Sequence, residues 1–564
     1  MTTTDIAPAR EREQPPGRRR GGGLTGTGAL VRLVARRDRL LAPSWVYVVG
    51  ILPLSFAVTF HDLYPTAADR ARFAATSARN GTFTALYGRL SGSSLGELIV
   101  WRGGFIPVVT GLISLLVVIR HTRAEEEAGR RELIGSTAVG RQAGLAAALL
   151  VAFAANLGVA LITAVALSLR QLPVAGAIAT GLEWASAGWI FAGVAAVVAQ
   201  LTTGAGAARG IGGVVLGVSY AARILGDRGG SATPGGSGGG LGWLSWISPI
   251  GLVQRVYPYA GTSGAQRWWV FAVVGALVAG LVGVAFVLCA RRDLGAGLLP
   301  DRLGPAVAGP ALGSPVALAW RLHRGLLAGW LTGFGLLGVV FGGVASGVAD
   351  LVGDNPSLRD VLQRIGGRAG LVDAYLATIM SILGLIAAGY AIQAVLRLRA
   401  EEAAGRAEPV LATAVGRLRW AAGHLIFACL GPAVAMLLAG AVTGLVYGAG
   451  AGGLARETGR GVVAAATQLP AVAVLAAAAL AVFGLWPRLW PASWAALIGC
   501  LLISLVGSGL NLDHWLLDVS PFTHTTRAAG GAVSPLPLVV LCLLALGFGA
   551  AGLLGLRRRD VPSF

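Results

Sequence analysis

The sequence predicts an all-α polytopic membrane protein, about 12 transmembrane helices in two parallel-repeat six-helix bundles. Three observations predict it. Of 564 residues 55% are apolar and only 13% charged, and mean hydropathy is +0.71. The apolar residues recur in runs of about 17 to 25, the length a helix needs to cross roughly 30 Å of hydrocarbon. One charged 19-residue segment occurs twice, in the same place within each set of six runs. The first observation excludes a soluble globular chain of this size, and the second excludes a single buried core.

Taken in order, residues 1–30 form a basic tail rich in Arg, Pro and Gly, expected to be disordered and cytoplasmic. It is not a cleavable signal, because no apolar stretch follows the arginines closely. The first six-span half covers 31–290. It begins with an amphipathic interfacial helix over Val31–Leu41 and continues with spans 42–60, 103–119, 143–168, 183–201, 211–226 and 269–290. A Pro/Gly-rich cytoplasmic linker, 291–313, leads to the second half, 314–564. That half opens on a second basic helix, LAWRLHRG, and has spans 326–347, 374–395, 421–447, 465–485, 493–510 and 536–556. Arginines are about twice as dense in the segments that face the cytoplasm if both termini are inside, which sets that orientation in a bacterial inner membrane. The segment GDRGGSATPGGSGGG reads as a flexible insertion on the outer side.

Net charge is +19, and all 45 basic residues are arginine. A nucleotide-binding P-loop needs a lysine on the β- and γ-phosphates. No intact P-loop exists in a chain without lysine, so ATP-driven work would need hydrolysis on another polypeptide. The arginines sit between apolar runs rather than on one basic face, which disfavours nucleic-acid binding. Cys289, Cys429, Cys500 and Cys542 lie inside apolar runs without CxxC spacing and read as packing residues. Asp513, His514, Asp518 and His524 are too irregularly spaced for a metal site. No G-x-S-x-G elbow, HExxH or acidic catalytic pair lies at a membrane face, so the chain reads as transport machinery rather than an enzyme.

The repeat carries the functional argument. RAEEEAGRRELIGSTAVGR (Arg123–Arg141) aligns without gaps on RAEEAAGRAEPVLATAVGR (Arg399–Arg417), with 13 of 19 positions identical. Glu125, Glu126, Gly129, Arg130 and Glu132 match Glu401, Glu402, Gly405, Arg406 and Glu408. Ser248-Pro249 and Ser520-Pro521 form a second anchor before the last span of each half, in the same order, so the repeat is parallel rather than inverted. Glu126 with Arg130, and Glu402 with Arg406, have the favourable i,i+4 spacing for helical ion pairs. Thr122 and Glu125 have capping-box spacing. In the second copy Leu398 replaces Thr122, and Pro409 replaces Leu133, where it is expected to end or kink the helix.

With its E-E-x-x-G-R-x-E loops, S-P motifs and six-plus-six layout, the chain resembles full-length ABC-2 type permeases of the actinobacterial polyketide-antibiotic (tetronasin-type) exporter family. The resemblance runs from about Leu33 to the end. It implies that each matched loop is a coupling helix seated on a nucleotide-binding subunit, with the ten matched residues above as the contacts. It also implies two copies of a separate ABC ATPase holding ATP and Mg, no cofactor in this chain, and a hydrophobic or amphiphilic cargo such as an antibiotic or drug.

Aromatic residues on the first, fifth and seventh spans are candidates for a substrate path: Trp45 and Phe56, Tyr220, and Trp330, Phe334 and Phe341. Helix packing explains the same stripes. Two other classes remain, a proton-coupled secondary multidrug carrier and a lipid-handling membrane subunit. A proton-coupled carrier needs more ionisable groups inside spans than Arg223, Glu183 (read as a span start) and His424 supply.

Overall fold

The computed structural model describes residues 22–79, 81–228, 241–260, 266–299, 306–307, 309, 312–351, 367–506, 514–525 and 535–559. Among them every regular element is helical. Eleven helices are long and apolar enough to cross a bilayer, and a twelfth apolar helix, Pro491–Val506, is shorter. The chain is a multi-pass membrane protein. It divides into two compact units, Met1–Leu303 and Gly304–Phe564.

The first unit starts with α1 (Thr27–Arg37), which packs on the helix that follows the repeated loop. Asp38 ends α1: its buried carboxylate meets His121 Nε2 at 2.6 Å and Arg120 at 3.3 Å. After that turn come α2 (Leu41–Leu63), three short helices, α3 (Ala67–Arg79), α4 (Gly81–Tyr87) and α5 (Leu95–Arg102), and then α6 (Ile106–His121). Ser94 and Glu97 form a capping box at α5. Phe60, Tyr64, Phe73, Phe83, Tyr87 and Trp101 pack around it, mostly edge to face, with neighbouring centroids 4.6–6.1 Å apart. The repeated loop forms α7 (Arg123–Glu127) and α8 (Arg130–Gly135), and the chain returns through α9 (Ala143–Ser168). Then follow α10 (Val174–Leu201), α11 (Ala205–Arg228), α12 (Leu244–Ile247), α13 (Pro249–Gln254) and α14 (Trp269–Arg291).

Helix α10 is central. It is rich in Ala and Gly, so α6, α9, α11 and α14 can all approach its backbone. Asn156 on α9 donates to Ser114 Oγ on α6 at 2.8 Å, a hydrogen bond between spans worth about 0.6 kcal/mol in lipid. Ser248 caps α13 and donates to the Ser219 carbonyl at 2.6 Å, so the first S-P motif pins α13 to α11.

The second unit comprises α15 (Pro315–Leu351), α16 (Gly367–Val395), α17 (Arg397–Ala403), α18 (Ala407–Leu411), α19 (Arg417–Ala451), α20 (Leu454–Ala466), α21 (Leu469–Leu485), α22 (Pro491–Val506), α23 (His514–Leu517) and α24 (Pro535–Arg558). Its core lies around α16, where Tyr390 and Met380 are fully enclosed.

Two expected boundaries change. The second basic segment is no separate interfacial helix: it is continuous with the seventh span in the 37-residue α15. Within it His323 stays helical and meets His424 at 3.0 Å on α19. In the first unit the fourth span begins at Val174 rather than 183. Glu183 is therefore nine residues inside the helix, about 13 Å from its start. Most of GDRGGSATPGGSGGG falls outside the described residues.

Candidate functional site

The two repeated loops fold alike, and differently from the single salt-bridged helix their spacing suggests. Each is a short helix, a glycine and another short helix. Gly129 has φ +69° and Gly405 has φ +67°, left-handed values at which an ordinary side chain is strained. The reversal shifts the ion pairing by one residue. Arg130 grips Glu125 with two hydrogen bonds, 2.7 and 2.8 Å, and Arg406 grips Glu401 with two, 2.8 and 3.2 Å. The expected i,i+4 pairs from Glu126 and Glu402 do not form.

Those two glutamates point the other way, into their own unit. Glu126 accepts from Arg292 at 2.7 Å, and also from Arg123 at 2.5 Å and Arg131 at 3.0 Å. Glu402 accepts from Arg559 through both oxygens at 2.7 Å. Arg292 and Arg559 directly follow the last span of their halves, α14 and α24. The arginine that closes each loop, Arg141 or Arg417, donates to the backbone carbonyl of Arg292 or Arg559. One four-part clamp thus occurs in both units: loop glutamate, terminal arginine, loop-closing arginine and glycine hinge. Its glutamates are enclosed, Glu126 2% and Glu402 5% exposed, while the loop-closing Arg141 is exposed.

The pairs on the outer side of each loop are open by comparison. Arg130 is 48% and Arg406 59% exposed, and Leu133 stands out at the tip of α8. Glu125 holds the Arg130 guanidinium above its ordinary range through the hydrogen bond between them. Arg37 of α1 also reaches Glu125, at 2.8 Å, tying the interfacial helix to the first loop. In the second loop Arg397 takes that place on Glu401. Glu132 and Glu408 are exposed, in the first turn of α8 and of α18.

Two expected local features are absent. Thr122 caps nothing: its hydroxyl donates back to the Val118 carbonyl at 2.6 Å instead. Pro409 neither ends nor kinks its helix. It lies in the first turn of α18, where a missing N–H costs nothing.

A family profile for the C-terminal domain of the multidrug efflux system permease Rv1217c matches residues 312–557. The multidrug efflux system permease protein Rv1217c of Mycobacterium tuberculosis is 41% identical over 555 residues, 98% of each chain. The chain belongs to this efflux permease family.

In this permease the aromatic candidates for a substrate path are engaged in packing within their own units. Tyr220 donates its hydroxyl to the carbonyls of Ala85 and Leu86 at 3.2 and 3.1 Å and lies edge-on to Phe105. Trp45 and Phe56 pack with Val49, Ile106 and Trp184. Trp330 stacks on Tyr390 at 5.2 Å and donates to Gln393 at 3.2 Å. Phe334 is enclosed in the second core, and Phe341 packs against that core. Of the irregular His/Asp cluster, Asp513 lies outside the described residues. His524 bonds the Asp518 carbonyl at 3.0 Å, and no group of three metal-ligating side chains occurs among the described residues.

The sequence reading missed Arg292, Arg559, Arg141, Arg417, Arg123 and Arg37. One signal was available: Arg291-Arg292-Asp293 and Arg558-Arg559-Asp560 put the same R-R-D triplet after the sixth and the twelfth spans.

Proposed function

We propose that this permease is the membrane-spanning subunit of an ATP-binding-cassette exporter, driven by two copies of a separate ATPase chain that hold the ATP and Mg. The observation that carries the reading is the clamp occurring once per unit on the same kind of loop. Each loop then offers its partner an exposed face, Arg130, Glu132 and Leu133 in one and Arg406, Glu408 and Pro409 in the other. Its inner glutamate is fastened to the last span. A push on the loop therefore reaches α14 or α24 through enclosed, charge-assisted hydrogen bonds rather than through flexible chain. Glu125 and Glu401 shape the loop by holding Arg130 and Arg406.

The arginine-rich ends, including both termini, face the cytoplasm of a bacterial cell, and the bilayer is the inner membrane. The cargo is a hydrophobic or amphiphilic drug, with a polyketide antibiotic of the tetronasin type as the narrower reading. Drug-stimulated ATP hydrolysis by the copurified permease and ATPase tests this. The permease alone hydrolyses no ATP, and Arg130→Ala or Arg406→Ala lowers stimulation about tenfold, the effect of roughly 1.4 kcal/mol of lost docking. Catalytic hydrolysis by the permease alone, or full stimulation in the double variant, overturns the reading. Efflux that stops when a pH gradient is collapsed with ATP intact favours a secondary carrier instead.

A further inference from the structure

At the end of the first unit away from the clamp, a small cavity opens between α10, α11 and the segments around α5 and α13. It is lined by Tyr87, Arg89, Glu97, Glu183, Asp227 and Arg255, among others, and has about 30 Å³ of water-sized space. That is room for roughly two waters.

The charged groups around it are all paired except one. Arg89 donates to the Asp227 carbonyl through Nε and Nη2 at 3.0 and 2.8 Å. Glu97 accepts from the Ser94 amide at 3.0 Å. Asp227 is met by Ser245 at 2.9 Å, Arg223 at 3.5 Å and Arg255 at 3.7 Å. Arg255 also donates to the Tyr257 hydroxyl at 3.0 Å, and Arg102 lies over the Tyr87 ring at 4.7 Å. Of the other helices against α10, α9 has no ionisable residue, while Arg120 and His121 of α6 and Arg291 of α14 lie at the opposite ends of their helices. Glu183 is 1% exposed, and its Oε2 has no hydrogen-bond partner among the described residues.

A lone carboxylate in such a place carries a desolvation cost that no neighbour offsets. It must take a cation. The space excludes an organic ammonium compound, and among the described residues no further ligands gather to hold a metal. We propose that Glu183 is a proton-exchange site: the carboxylic acid transfers its proton to a cavity water, leaving carboxylate and hydronium, and takes one back by the same route. The second unit does not repeat a lone acid. In its fourth span, Leu454–Leu485, the buried Glu457 is paired with Arg460 at 2.9 Å.

Infrared difference spectroscopy on the full-length permease in membranes tests this, read as the C=O stretch of a protonated carboxyl group, which shifts down on exchange into D2O. The band is expected to fall with rising pH as the group titrates. It should be absent in Glu183→Gln, whose equal size and unaltered thermal unfolding show an intact fold. A band that is independent of pH, one that does not shift in D2O, or no band assignable to Glu183 overturns the proposal. Loss of the band on adding sodium at constant pH also overturns it, in favour of a metal cation. The assay needs no ATPase, so its outcome is separate from that of the transport reading.

Discussion

Arg292 and Arg559 hold a kind of interaction that Arg130 and Arg406 cannot, although all four bind glutamate at similar distances. The difference is solvent. Glu126 keeps Arg123 and Arg131 when Arg292 is lost. Arg559 and Glu402 are 14% and 5% exposed, and Arg559 is the one charged partner of Glu402 among the described residues, so removing it strands a buried carboxylate. Breaking one side of such a pair costs about 3–5 kcal/mol. The half-exposed Arg130 is screened by water, and its pair with Glu125 is worth about 0–1 kcal/mol. Arg559→Ala is therefore expected to lower the thermal unfolding temperature of the purified permease clearly, and Arg130→Ala hardly at all. Equal shifts would contradict the clamp. Glu125 and Glu401 were readable from the repeat itself, because acids are scarce in this chain. The inward turn of Glu126 and Glu402 was not, since its cause is a partner 166 residues away in one half and 157 in the other.

Among the helices, spans were the most legible part. The run 143–168 matches α9 end to end, and eleven of the twelve expected spans appear as helices of spanning length. Apolar length is a local property that composition alone reports. Hinges were not legible, because nothing local marks Gly129 or Gly405 as left-handed among 85 glycines. Nor does apolarity show where a helix continues past the membrane, as α15 does. Orientation is tested at this scale. In a chain whose four cysteines are replaced by serine, Leu133→Cys at the tip of α8 should react with an impermeant thiol reagent only from the cytoplasmic side. Thr66→Cys before α3 should react only from outside, and the reverse pattern would invert the topology.

Considered whole, the protein has a boundary at Leu303/Gly304 that leaves each clamp inside one unit. Glu126, Arg141 and Arg292 belong to the first, and Glu402, Arg417 and Arg559 to the second. Fragments 1–303 and 304–564, expressed separately, should each insert and unfold cooperatively, with Arg292→Ala weakening only the first and Arg559→Ala only the second. A fragment that fails to accumulate in the membrane, or that is not weakened by loss of its own arginine, would argue against self-contained clamps. The lone carboxyl group on α10 has a further meaning in evolutionary terms. A transporter assembled from two identical half-length chains would carry every residue twice. Joining the halves in one chain lets Glu183 occur once in that chain, so selection can act on one half without altering the other.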